Sequence, residues 1–219
     1  MKQLTLLVLL FSFSSFAVQE FTFSAAAFSS TVKDLGAEDI ESSNQPAFSV
    51  GYKWFIGTKV HLLLSVDNRK YKLNFEDSNV TGDKEISLQR FDAGVRLVMT
   101  PKTAVSIFAS KAEILDFNIQ GNQIELLSEE MSFYSVNLNQ VLMQFRPFNV
   151  GFDISYDFQA SKGDIEDRTQ MSGRLYSIIG RSAHRARLFA GLELEDKTIE
   201  GEEVKSNNTI FGIEYIFRF

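Results

Sequence analysis

From Phe48 to Trp54 every second residue is apolar (Phe48, Val50, Tyr52, Trp54). The same alternation recurs at Val60/Leu62/Leu64/Val66, Phe91/Ala93/Val95/Leu97/Met99, Val150/Phe152/Ile154/Tyr156/Phe158 and Ala186/Leu188/Ala190/Leu192/Leu194. Successive strand side chains point to opposite faces, so each run makes a β-strand with one apolar and one polar face. Short breaks fall at Gly57-Thr58-Lys59, Thr100-Pro101-Lys102-Thr103, Arg146-Pro147-Phe148 and Gly180-Arg181-Ser182. There Gly permits positive φ, and Pro fixes φ and cannot donate to a ladder. Longer, acidic breaks run through 33–45, 76–85, 118–130, 161–168 and 196–207. The two kinds of break interleave, as in a series of hairpins. They separate ten segments, 20–32, 46–56, 60–75, 86–99, 104–117, 131–145, 149–160, 169–179, 185–195 and 208–219.

Two segments lose phase. In 104–117, Val105, Ile107 and Ala109 share a face, but Lys111 and Glu113 then fall on it, so either a bulge shifts the register or the strand leaves its apolar surroundings early. In 60–75, Val66 and Tyr71 cannot share a face without a bulge around Asp67 to Lys70. The segment 20–32, with Ala25 to Ala27, is weakly patterned, which leaves eight or twelve strands as alternatives to ten.

The two ends of the chain add a location. Phe211, Ile213, Tyr215, Phe217 and Phe219 form one unbroken apolar face, with Gly212, Glu214 and Arg218 on the other. At the other end, Lys2, the apolar stretch Leu4 to Phe11 and the small-x-small Ser15-Phe16-Ala17 read as a secretory signal peptide cut after about Ala17. Its apolar run falls short of the ~20 residues a transmembrane helix needs, and no later run approaches that length. The terminal aromatic alternation resembles the closing strand of bacterial outer-membrane β-barrel proteins. The resemblance implies an all-β, transmembrane, antiparallel up-and-down barrel. Residues 1–17 would be the signal peptide and 18–219 a single barrel domain in the bacterial outer membrane. It also implies that the five terminal apolar residues serve as a signal for the outer-membrane assembly machinery, that short turns face the periplasm and that long loops face outside.

Composition fits this class. The 219 residues include no Cys, so neither disulfides nor thiolate metal sites contribute, and 21 Phe with a single Trp suit a lipid-facing surface. With the apolar face outward, the lumen receives Lys53, Arg69, Arg96, Arg174, Arg187 and Arg218 against Asp67, Asp92, Asp153, Asp157, Glu193, Glu195 and Glu214. Unpaired charge in a narrow interior is costly, so this near-balance predicts cross-strand ion pairs. Asp153, Arg174, Arg187 and Glu214 lie at similar depths on four consecutive strands and are expected to form a connected network, with Arg96, Asp92 and Asp67 as further members. A small barrel so filled disfavours a wide pore.

The five long loops carry −3, −3, −3, −1 and −2, a total of −12 in a chain of net charge −6, so the barrel and turns are net positive. Acidic loops repel nucleic acid; they could attract cationic partners or divalent ions, or simply be solvated. No cofactor or specific metal motif appears, and the oligomeric state is open. Only two His exist, His61 and His184, and both map to the short-turn end, so a His-dependent site at the long-loop rim is unsupported. A Glu193/Glu195 pair is the one carboxylate arrangement with catalytic potential. The sequence thus favours a non-enzymatic barrel with a structural or surface-interaction role. The alternatives are a narrow ion or small-solute channel and a soluble periplasmic β-protein binding an apolar ligand.

Overall fold

The computed structural model describes residues 18–33, 40–72, 85–120, 123–145, 147–159, 165–181, 183–199 and 202–219; the signal-peptide expectation for 1–17 lies outside them. Ten strands follow in order: β1 (Gln19–Lys33), β2 (Ile40–Phe55), β3 (Val60–Lys72), β4 (Glu85–Thr100), β5 (Thr103–Gln120), β6 (Gln123–Phe145), β7 (Phe148–Gln159), β8 (Ile165–Arg181), β9 (His184–Ile199) and β10 (Glu202–Arg218). Each pairs antiparallel with its sequence neighbour, and β10 pairs with β1 to close the barrel. Closure removes the free edges that an open sheet would expose. At the seam Phe21 opposes Phe217, and the Phe219 ring stacks on Phe21 with centroids 5.6 Å apart.

The alternation sorts the two faces as charge and hydrophobicity demand. Outward positions include Leu175 (64% exposed), Leu192 (59%), Phe48 (58%) and Phe211 (56%), a continuous apolar wall far beyond what a water-facing surface carries. Within this apolar belt charged side chains such as Arg69, Arg174 and Glu193 point inward, which is the reverse of a soluble β-protein with an apolar interior. The shortest strand, β7, has 12 residues. At ~3.4 Å per residue and a ~45° tilt it rises roughly 29 Å, the thickness of a bilayer's hydrocarbon core.

The register corrects several expectations. The β3–β4 ladder runs from Val60↔Leu97 to Lys72↔Glu85 with no shift, so no bulge forms at Asp67–Lys70. Tyr71 instead faces inward, 8% exposed, and meets the Phe28 ring edge-on at 4.7 Å. Register shifts lie at Phe28/Ser30, Val98/Thr100, Val141/Met143 and Ile165/Asp167. In β5 the β5–β6 register is unbroken, and Lys111 stays on the outer face, paired with Glu130. There the strand has left the apolar belt.

The acidic stretches at 118–130 and 196–207 are largely strand, because β5/β6 and β9/β10 pair up to Gln120↔Gln123 and Ile199↔Glu202. The ladder β4–β5 stops at Arg90↔Ala112 and β6–β7 starts at Phe133↔Gln159. Residues 113–120 and 123–132 therefore pair with each other and, among the described residues, are in the ladder of neither flanking strand. This hairpin leans over the lumen. Leu115 is buried in one cluster with Phe28, Val32, Tyr71, Leu88 and Val204 from other walls, and Lys197 of β9 donates to the Leu115 carbonyl.

Candidate functional site

In the lumen, charged side chains from all around the barrel converge. Its centre is Glu193 on β9, 1% exposed. Arg69 reaches it from β3, on the far side of the barrel, with Nη1 at 2.5 Å from Oε2 and Nη2 at 3.0 Å from Oε1, and Arg174 of β8 adds Nη2 at 2.9 Å from Oε1. Two guanidiniums on one carboxylate form a charge-assisted clamp that ties β3 to β8 and β9 across the interior. Gly191 makes room for it: a Cβ there would lie 2.6 Å from Arg174 Cγ and 2.4 Å from the Gly173 carbonyl oxygen.

Toward the long-loop end, Arg90 of β4 donates through Nε to Asp92 at 2.7 Å, through Nη1 to Asp157 of β7 at 2.7 Å and through Nη2 to Ser135 at 3.0 Å. Asp92 also accepts from Ser65 at 3.1 Å and Ser110 at 2.6 Å. Arg168 of β8 donates to Glu195 at 2.5 Å and to Gln170 at 2.7 Å. The Phe133 ring lies between the two arginines, 4.6 Å from the Arg90 guanidinium and 5.2 Å from that of Arg168. The cation–π contacts thus cover the charge that the carboxylates leave open.

Toward the short turns, Arg187 of β9 bonds Asp153 of β7 and lies 3.7 Å from Glu214 of β10, with its guanidinium 4.2 Å over the Tyr176 ring. Asn139 of β6 joins this group to Arg96: it accepts from Arg96 at 2.9 Å and donates to Asp153 at 2.5 Å and to the Tyr176 hydroxyl at 2.9 Å. Below, Glu20 of β1 accepts from both Lys53 and Arg185. Two small cavities, of about 70 and 50 Å³, remain in the lumen, and Asp67 lines both.

Arg187, Asp153, Glu214 and Arg96 thus come together, as do Asp92, Arg90 and Asp157. Arg174 does not join Asp153 or Glu214 despite facing Asp153 in the register; it turns to Glu193. Asp67 takes part in none of the ion pairs among the described residues and lines the two cavities instead. Sequence reasoning missed Arg90, Arg168, Arg185, Lys197 and Glu20. Arg90 shares the parity of Asp92 and Arg96 and was legible on that ground. Arg168 and Lys197 sit in stretches read as loop, and Glu20 opens the weakly patterned first strand.

The two His lie at the short-turn end. His61 is 7% exposed, with the Phe55 ring at 4.3 Å, and His184 contacts the Tyr215 hydroxyl on the outer wall. Glu193 and Glu195, the carboxylates with catalytic potential, are both engaged by arginines.

Fold comparison places this geometry in a class. The outer membrane protease OmpT from Escherichia coli superposes with a TM-score of 0.55 at 10% identity, covering 94% of this chain and 98% of that one. The β domain of the Bordetella autotransporter BrkA gives 0.47 at 11% identity, with 93% and 100% covered, and LpxR from Salmonella typhimurium gives 0.44 at 8%, with 90% and 99% covered. The chain has the fold of the bacterial outer-membrane β-barrels. At these identities the likeness extends to fold and no further. No protein-family model and no curated protein matches the sequence.

Proposed function

We propose that the protein is an integral outer-membrane barrel with a closed, charge-filled lumen, serving a structural or surface-interaction role without catalysis. The observation that carries this reading is the Arg69–Glu193–Arg174 clamp, which ties opposite walls together where a pore would run. The leaning 113–132 hairpin supports it from above. Its short turns face the periplasm and its acidic loops face outside, where they offer contact to cationic partners or divalent ions. The outward apolar wall supports embedding in the bilayer, and the closing strand, with Phe219 at the seam, supports recognition by the assembly machinery.

The test is fractionation with surface proteolysis of intact cells. The protein should stay with outer membranes until detergent is added, and external protease should cut within 76–85 or at 199–203. Recovery in the aqueous fraction, or cleavage confined to the short turns, would reject the proposal.

A further inference from the structure

The short-turn end of the lumen is not charge-balanced. Lys53, Arg96, Arg185 and Arg218 face it, and the carboxylate at this level is Glu20, which binds Lys53 and Arg185 and opposes Arg218 in the register. The next carboxylates inward, Asp153 and Glu214, are taken by Arg187. Arg96 finds only the neutral Asn139 amide, and Arg218 lies over the Phe55 ring at 4.7 Å with no carboxylate within ion-pair distance among the described residues. Among side chains, four cations against one carboxylate leave an excess of +3 at this end of the lumen.

A second, independent observation lies at the same spot. His61 is the register partner of both Arg96 and Phe55 and is 7% exposed, yet its Nδ1 is buried with no hydrogen-bond partner. Buried polar atoms are normally satisfied, and an orphan beside excess positive charge marks the place of an absent partner. The sequence extends the same polarity to the rim. A basic residue lies within or beside each of the four short connections (Lys59, Lys102, Arg146, Arg181), and none of these connections holds an acid. Basic connections of this composition raise the local concentration of anions.

We infer that this vestibule binds a small oxyanion, the phosphate or carboxylate group of a soluble ligand. Guanidinium forks favour such planar or tetrahedral oxygens over halide. Arg96 and Arg218 hold the anion, Lys53 contributes charge, and His61 Nδ1 gains its missing partner. The site itself does not depend on the proposed function; only the compartment that supplies the ligand, the periplasm, rests on that reading.

The test is calorimetric titration of the refolded barrel in detergent micelles at low ionic strength, with inorganic phosphate and, separately, glutarate as probes. Expected is saturable one-to-one binding that weakens with added salt. Arg96→Gln and Arg218→Gln should each weaken it at least tenfold, Glu20→Gln should strengthen it severalfold, and Glu130→Gln in the distant hairpin should leave it unchanged. The stronger of the two probes identifies the ligand's group. Heat-modifiable migration on a gel verifies that each variant folds, and Arg218, at the exposed rim, supplies the variant least tied to folding. Absence of saturable binding to either probe, or binding that Arg96→Gln and Arg218→Gln leave intact, overturns the inference. Micelle calorimetry is blind to membrane sidedness, so a failure there is separate from a failure of the topology.

Discussion

Glu193→Gln is the perturbation that bears most directly on the lumen clamp. The amide keeps one acceptor, which can serve the oxygen shared by Arg69 Nη2 and Arg174 Nη2. Its NH₂ then occupies the place of Oε2 and points a donor at Arg69 Nη1, 2.5 Å away in the native pair. Two guanidiniums lose their counter-charge at once. Breaking a buried pair by removing one partner costs about 3–5 kcal/mol. The Arg69 and Arg174 side chains retain 21% and 34% exposure, so lumen water screens part of the loss and the low end applies.

The expected destabilisation is therefore ~3 kcal/mol, more than a hundredfold in the folding equilibrium. Equilibrium urea unfolding of the barrel refolded into lipid vesicles measures it. The triple variant Arg69→Met, Glu193→Leu, Arg174→Met removes charge and counter-charge together and should recover most of the stability. A shift below ~1 kcal/mol for Glu193→Gln, or a triple variant no better than the single one, would refute the reasoning.

Three further outcomes are expected. Gly151→Ala should destabilise by ~1–3 kcal/mol in the same unfolding assay, because a Cβ would sit 2.4 Å from the Gln140 carbonyl oxygen and 2.5 Å from the Tyr176 hydroxyl. Phe219→Ser should reduce the amount of barrel inserted in cells much more than its stability in vesicles if the closing strand is the proposed recognition signal; normal insertion at ordinary expression would count against that role. Leu115→Asp should free the 113–132 hairpin from the cluster of Phe28, Val32 and Tyr71, detectable as faster protease cleavage within the hairpin while the barrel still shows heat-modifiable migration.

The fold was legible because period-two alternation is a local property. Phe91 to Met99 and Val150 to Phe158 announce their faces without knowledge of any partner strand. The closing contact of Phe217 with Phe21 followed once both ends of the chain were recognised as strands. What the sequence concealed was length. Once β5 and β6 rise above the lipid, their outer positions no longer need to be apolar, so Lys111 and Glu113 read as a loss of phase and Glu130 as loop, although the backbone pairing continues to Gln120↔Gln123.

The same concealment removed Arg168 and Lys197 from the expected lumen set. Partner choice was harder still. Parity and depth put Arg174 beside Asp153, but a long side chain spans several strand positions, and Gly191 opens the path that takes it to Glu193 instead. That Glu193 would gather a partner from β3 across the barrel depends on barrel curvature and radius, quantities no strand carries alone.

In the proposed reading the ion pairs and the leaning hairpin close the lumen. Single-channel recording of the refolded barrel in planar bilayers tests it most directly. A quiet baseline without stable conducting states is expected of the intact protein, with openings appearing in Glu193→Ala, where the clamp between opposite walls is gone. Stable, large, water-filled openings in the intact protein would contradict it and make the barrel a channel.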